Sequence, residues 1–226
     1  MRKFLTASMI VLSSASVFAG TAITTQPQQL GYTFGATMGL GFKKDAIKLD
    51  PQSFLQGFND AYTGGKLQLS KVQMHKVMTA FQKSHMKKVI ASRAKLGTSN
   101  SKKGVAFLAA NASKPGVKVL PSGVQYKILK AGTGAHPTAK STVTINYQGQ
   151  LINGSVFDSS YQRGKPASLS LAHVIPGWQQ AVPHMKTGGT WMLYIPSQQA
   201  YGAQGIPGVI PPNATLIFKV QLLSVK

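Results

Sequence analysis

The chain has 226 residues, no cysteine, and 25 Lys and Arg against four acidic residues, all Asp, for a formal net charge of +21. The missing cysteine excludes disulfides, thiol catalysis and Cys-ligated zinc. The length suits one large or two small domains, and 43% hydrophobic residues are enough for a core.

Residues 1–19 read as a secretory signal peptide. Arg2 and Lys3 precede the apolar run Phe4 to Leu12, and small residues lead to Val17-Phe18-Ala19. The run is too short and too serine-broken to span a bilayer. Its removal leaves a charge of 21 − 2 = +19. No other stretch is long enough to cross a membrane, so the mature chain is expected to be soluble and exported, with no integral membrane segment.

Thr21 to Gln29 is polar and reads as a flexible lead. Residues 20–69 then form a helical region. Gly31, Gly35 and Gly39 recur every fourth residue and line one helix face, where a second backbone can approach closely. A second helix has Asp50 as N-cap, Pro51 at its first position and Gly64-Gly65 at its end. Phe54, Leu55, Phe58, Ala61 and Tyr62 give it an apolar stripe. A connecting long helix occupies 70–114, striped by Met74, Met78, Phe81, His85 and Val89. The segment Gly97 to Gly104, GTSNSKKG, is expected to interrupt it. These helices are too few to close a core alone. Pairing with a second copy is expected, the alternative being packing onto the C-terminal domain of a monomer.

From residue 115 to 226 the period changes. Thr142 to Tyr147, Thr190 to Ile195 and Leu216 to Leu222 alternate as strands, and Asn153-Gly154 marks a hairpin. Gly177 to Met185 predicts one short helix, bent by Pro183. The fold class is α+β: an N-terminal all-α dimerisation region followed by an antiparallel sheet of four to six strands wrapped around a short helix.

Catalytic machinery is sparse. After residue 115 the only carboxylate is Asp158, which excludes a carboxylate pair. The five histidines lack metal-ligand spacing, and neither metal nor cofactor is expected. An aromatic and aliphatic set remains, and strand aromatics are usually core. Two features go beyond that: Phe157 beside the lone Asp158, and Val174, Ile175, Ile206, Val209 and Ile210 within Pro/Gly-punctuated loops.

The segments FDSS, VIPGW, AYG and IPPNATLIFKVQLL occur in the order and spacing of the FKBP-type peptidyl-prolyl cis/trans isomerases, which this region resembles. Upstream, GYTFGATMG and KKGVAFLAANASKPGVKVLPSGVQYKIL resemble the exported, dimeric Mip-like (macrophage infectivity potentiator type) members. The resemblance implies an FKBP-like fold with an apolar pocket for proline-containing unfolded or extended polypeptides, on an enzyme assisting the folding of exported proteins. It implies Trp178 as the pocket floor and Tyr147, Phe157, Val174, Ile175 and Phe218 as walls. Catalytic roles fall on Asp158, held with Arg163 and Tyr147 at the pocket edge, and on Tyr201, which with the backbone near Ile175 donates to substrate carbonyls. Ile206, Val209 and Ile210 form a flap, with Val209 and Ile210 pointing to the cavity. The implied assembly is a homodimer through the N-terminal helices, in the periplasm or on the outer surface of a Gram-negative bacterium. Ala167, where many members have a large aromatic, Ile206 and His173 depart from the family pattern and bear on substrate preference. Two other readings remain: a non-enzymatic polypeptide-binding chaperone, and a protein whose positive charge meets an anionic surface or polymer. Scattered basic residues and export argue against nucleic acid.

Overall fold

A computed structural model describes residues 22–226, so the expected signal peptide at 1–19 lies outside the described residues. The chain divides into two compact units, Met1–Met74 and His75–Lys226. No helix among the described residues is long and apolar enough to cross a membrane.

In the first unit, α1 (Gln26–Lys44) begins earlier than the sequence reading placed it. Thr25 and Gln28 form a reciprocal capping box, which satisfies the free N–H groups of the first turn and extends the helix into the expected lead. In α2 (Pro51–Tyr62), Asp50 accepts the Ser53 N–H at 2.7 Å. Phe42 meets Phe54 edge to face at 6.0 Å, joining the two helices. Neither helix contains a buried residue.

The long helix α3 (Lys71–Ala112) is continuous. The expected break at Gly97 to Gly104 does not occur. Both glycines are buried, and with Asn111 they form a row of three buried residues spaced seven apart along the helix. A Cβ on Gly104 would lie 2.3 Å from Thr215 Oγ1, so the residues read as helix breakers are contact notches. The roughly 1 kcal/mol propensity cost of a helical glycine is offset by close packing. At the end of α3, Asn111 donates to Gln125 Oε1 at 2.9 Å, and Gln125 donates to the Leu108 carbonyl at 2.8 Å.

Seven antiparallel strands follow, more than the four to six expected: β1 (Val117–Val119), β2 (Gln125–Lys130), β3 (Thr142–Leu151), β4 (Val156–Ser159), β5 (Ala167–Ser170), β6 (Thr190–Ile195) and β7 (Leu216–Val225). Their order is β1-β2-β6-β7-β3-β4, with β5 paired to β3. The extra strands are short: β1 has three residues and β4 and β5 four, below the length at which alternation declares itself. The expected hairpin turn lies between β3 and β4, with Gly154 at φ 87°. The short helix α4 (Pro176–Ala181) passes into a 3₁₀ turn, Val182–His184, at the expected proline. A core of Val143, Ile145, Leu171, Val182, Met185, Leu193, Ile195, Val220 and Leu222 joins it to the sheet.

The Asn111–Gln125 pair is buried and mutually satisfied. Asn111→Ala is expected to lower unfolding stability by about 1–3 kcal/mol, because Gln125 Oε1 loses its donor without access to water. Asn111→Ala/Gln125→Leu is expected to recover part of that loss, as measured by urea unfolding.

Candidate active site

The inner face of the second unit holds a cavity of about 400 Å³. Its floor is Trp178, 4% exposed, carried on the first turn of α4. Pro176 starts that helix, and Gly177 lets it seat. A Cβ at 177 would fall 2.4 Å from Ile195 Cγ2 on β6, so only glycine allows this approach. The Trp178 ring meets Tyr147 edge to face at 5.4 Å and Phe218 at 5.2 Å. Phe218 in turn meets Phe157 at 5.6 Å with the planes at 88°. These edge-to-face contacts fix each ring against its neighbours. Val174 and Ile175 complete the apolar wall.

The strand register explains the grouping. Gly149 on β3 pairs with Phe218 on β7 and with Asp158 on β4, next to a register shift at Gln150. A Cβ on Gly149 would lie 2.6 Å from Phe218 and 2.7 Å from Phe157. The absent side chain is the space in which those two rings meet.

Asp158 lines the cavity edge as part of a closed polar set. It accepts from the Tyr147 hydroxyl at 2.5 Å and from Arg163, whose second nitrogen donates to the Tyr147 oxygen at 2.9 Å. The Arg163 guanidinium also lies over the Tyr147 ring, 5.4 Å from its centre. Burial pushes the Asp158 carboxyl up, but donation from Tyr147 and then from Arg163, with the guanidinium charge, outweighs it and holds the group below its ordinary value. Burial, followed by donation to Asp158, raises the Tyr147 hydroxyl. The Tyr201 hydroxyl is raised by burial and then by the Asp158 charge. At neutral pH the site therefore holds one paired carboxylate and two neutral phenols. The Ile175 N–H, at the start of α4, makes no backbone hydrogen bond among the described residues.

Of the residues expected from the sequence, Tyr147, Phe157, Asp158, Val174, Ile175, Trp178, Tyr201 and Phe218 border the cavity, and Arg163 contacts it through Asp158 and Tyr147. Ile206, Val209 and Ile210 do not border it. Ile206 and Ile210 exchange two backbone hydrogen bonds of 2.8 Å, which turns Ile210 into the core at 3% exposed and leaves Val209 outside at 50%. The expectation that Ile210 points into the cavity is therefore corrected. Leu169 and His173 border the cavity without having been counted as site residues, and Gly149 shapes it. Leu169 shares an alternating face with Ala167, a signal available in the sequence. Gly149 has no sequence signal, because what makes it necessary is two rings from other strands.

Residues 134–223 match the family model described as FKBP-type peptidyl-prolyl cis-trans isomerase, and residues 27–128 match the domain amino terminal to FKBP-type peptidyl-prolyl isomerase. The chain belongs to the FKBP-type peptidyl-prolyl cis-trans isomerases. It is 47% identical over 219 residues to the peptidyl-prolyl cis-trans isomerase Mip of Coxiella burnetii, covering 97% of this chain and 95% of that one. It is 45% identical over 227 residues to the outer membrane protein MIP of Legionella longbeachae, with 99% and 97% covered. The crystal structure of FkpA from Escherichia coli aligns with a TM-score of 0.71 at 37% identity, over 91% of this chain and 99% of that chain. The residues matched by the isomerase model lie within the unit that carries the cavity.

Because its folded-state pKa lies below the unfolded value near 3.8, Asp158 contributes stability that is present above that value and lost as pH falls through the depressed one. Stability is expected to fall as pH drops below the unfolded value near 3.8, and Asp158→Asn is expected to remove that component. Urea unfolding at stepped pH reads the difference.

Proposed function

We propose that this isomerase acts on exposed X-Pro bonds of exported polypeptides, seating the proline ring on Trp178 and twisting the preceding amide without covalent chemistry. The carrying observation is the cavity wall itself: five aromatic rings, aliphatic groups, one His and one paired carboxylate, with no Ser, Thr, Cys or Lys. Rotation about a peptide bond faces a barrier of ~18–20 kcal/mol because twisting breaks amide resonance. The planar amide is the more charge-separated form, so an environment poor in water disfavours it relative to the twisted one. In this reading the aromatic walls supply that environment. The Tyr201 hydroxyl and Ile175 N–H donate to the substrate carbonyls, favouring whichever geometry they fit best. Asp158 orients Tyr147 and Arg163 and transfers no proton, consistent with its lowered pKa.

The finer assignments follow the same reading: 1–19 as an export signal, 20–69 as the dimerisation region, 70–114 as the connecting helix, and 115–226 as the isomerase domain, working in the periplasm or at the outer surface of a Gram-negative cell. Pairing of two copies through α1 and α2 is supported by apolar side chains left exposed among the described residues. Tyr32 is 65% and Leu40 69% exposed, and added Cβ atoms at Gly31, Gly35 and Gly39 would meet nothing within 4 Å. Contact with an anionic surface is supported by α3, in which Lys71, Lys76, Lys83, Lys87, Lys88, Arg93, Lys95, Lys102 and Lys103 are accompanied by no acidic residue.

In a refolding assay limited by proline isomerisation, Tyr201→Phe and Asp158→Ala are each expected to lower kcat/KM roughly tenfold, the equivalent of about 1.4 kcal/mol of transition-state stabilisation. Unchanged rates in both would overturn these roles. Gly35→Leu is expected to reduce the mass in light scattering from dimer to monomer while activity on a short proline peptide is kept. Adsorption to anionic lipid vesicles is expected at low ionic strength and lost near ~0.5 M salt, where screening is short-ranged.

A further inference from the structure

The loop that begins at Tyr201 leaves the cavity wall and returns to the sheet at Thr215. Two bonds close its neck: Asn213 N–H donates to the Gly202 carbonyl at 2.8 Å, and Gly205 N–H donates to the Tyr201 carbonyl at 3.0 Å. Beyond the neck, its only ladder is the internal Ile206–Ile210 bridge, which lies outside the sheet. Ile210 packs into the core and ties down one side of the loop, so its other side needs a second anchor if a side chain is to be held to a few tenths of an ångström. Helix α3 provides one. Asn100 donates to the Pro212 carbonyl at 2.9 Å, Asn213 Nδ2 donates to the Gly97 carbonyl at 3.3 Å, and Arg93 donates to the Gln204 carbonyl. Asn213 is one node with two functions: its backbone closes the neck beside Tyr201, and its side chain holds α3. It does so at φ 53°, in the left-handed region that non-glycine residues seldom occupy. Two glycines let the helix come this close. A Cβ on Gly97 would lie 3.2 Å from Asn213 Nδ2, and one on Gly104 would strike Thr215 Oγ1.

We propose that α3 from Arg93 to Gly104 is a splint for the catalytic loop, and that Gly97, Asn100, Gly104 and Asn213 are positioning residues for the isomerase reaction. They touch no substrate. They act through the neck at Gly202–Asn213 on Tyr201, whose hydroxyl must meet a rotating carbonyl without first reorganising. The inference rests on the reading of Tyr201 as a donor to substrate. It assigns to a helix outside the isomerase sheet a share of the turnover rate.

The test uses the full-length protein. Asn213→Gly keeps the left-handed backbone accessible and deletes only the side-chain anchor. Asn100→Ala removes one amide at a half-buried position, and decides the matter should Asn213→Gly not fold. Each is expected to lower kcat about fivefold with little change in KM. Amide exchange should quicken at Gly205 and Ile210 but not along β6 and β7. Gly104→Ala is expected to show the same loss, and Gly104→Ala/Thr215→Ala, in which the clashing oxygen is gone, to recover it. Combined with Tyr201→Phe, Asn213→Gly should add little further loss, since both act on one group. If Tyr201→Phe alone has no effect while Asn213→Gly is slow, the donor role fails and the splint stands through the rest of the loop. If Asn213→Gly and Asn100→Ala both keep the parent kcat and loop exchange, or if exchange rises equally over the whole sheet, the splint is overturned whatever Tyr201→Phe does.

Discussion

The seat of α4 on the sheet is the constraint on which the rest of the site depends. Gly177 has no side chain, so the helix backbone rests against Ile195, and the next residue, Trp178, is delivered as the floor of the cavity. Any larger residue would lift the helix. The floor would rise, and the edge-to-face contacts of Trp178 with Tyr147 and Phe218 would be lost together, because three rings in mutual contact cannot be adjusted singly. Gly149 plays the matching part on the opposite wall, where its vacancy admits Phe157 and Phe218. The cavity is thus made by two missing side chains as much as by the aromatic ones present.

Charge is confined to one edge of this apolar space. Asp158, Arg163 and Tyr147 satisfy one another in a closed triangle, so a carboxylate stands beside the aromatic wall without being left unpaired. This arrangement suits a reaction that moves no proton and forms no covalent bond. The acid accepts from both the phenol and the guanidinium and so fixes their positions.

Helix α3 shows why local propensity can mislead. Gly97 and Gly104, with a serine-rich run between them, have the composition of a helix break. They are instead the points at which the helix touches Pro212, Asn213 and Thr215. Propensity weighs a residue against water and an isolated turn. Here the comparison is with a packed neighbour, and the gain in close contact exceeds the small local cost. The same contact reaches the loop that carries Tyr201, so fold and site share one interface.

Much of this protein was legible in its amino acids. Binary alternation marked the longer strands β3, β6 and β7, punctuation at Asp50, Pro51 and Asn153-Gly154 marked caps and a turn, and the order of FDSS, VIPGW and AYG marked the family and contained six of the ten cavity-lining residues, to which the wider resemblance added Tyr147 and Phe218. These are local signals, written within a few residues of one another. The tertiary structure alone decided the continuity of α3, the short strands β1, β4 and β5, the inward turn of Ile210, and the necessity of Gly149. Each depends on atoms from a distant part of the chain occupying, or leaving empty, a particular space. A glycine reads the same in sequence whether it breaks a helix, turns a loop or makes room for a ring, and only the neighbour that fills the vacancy tells which.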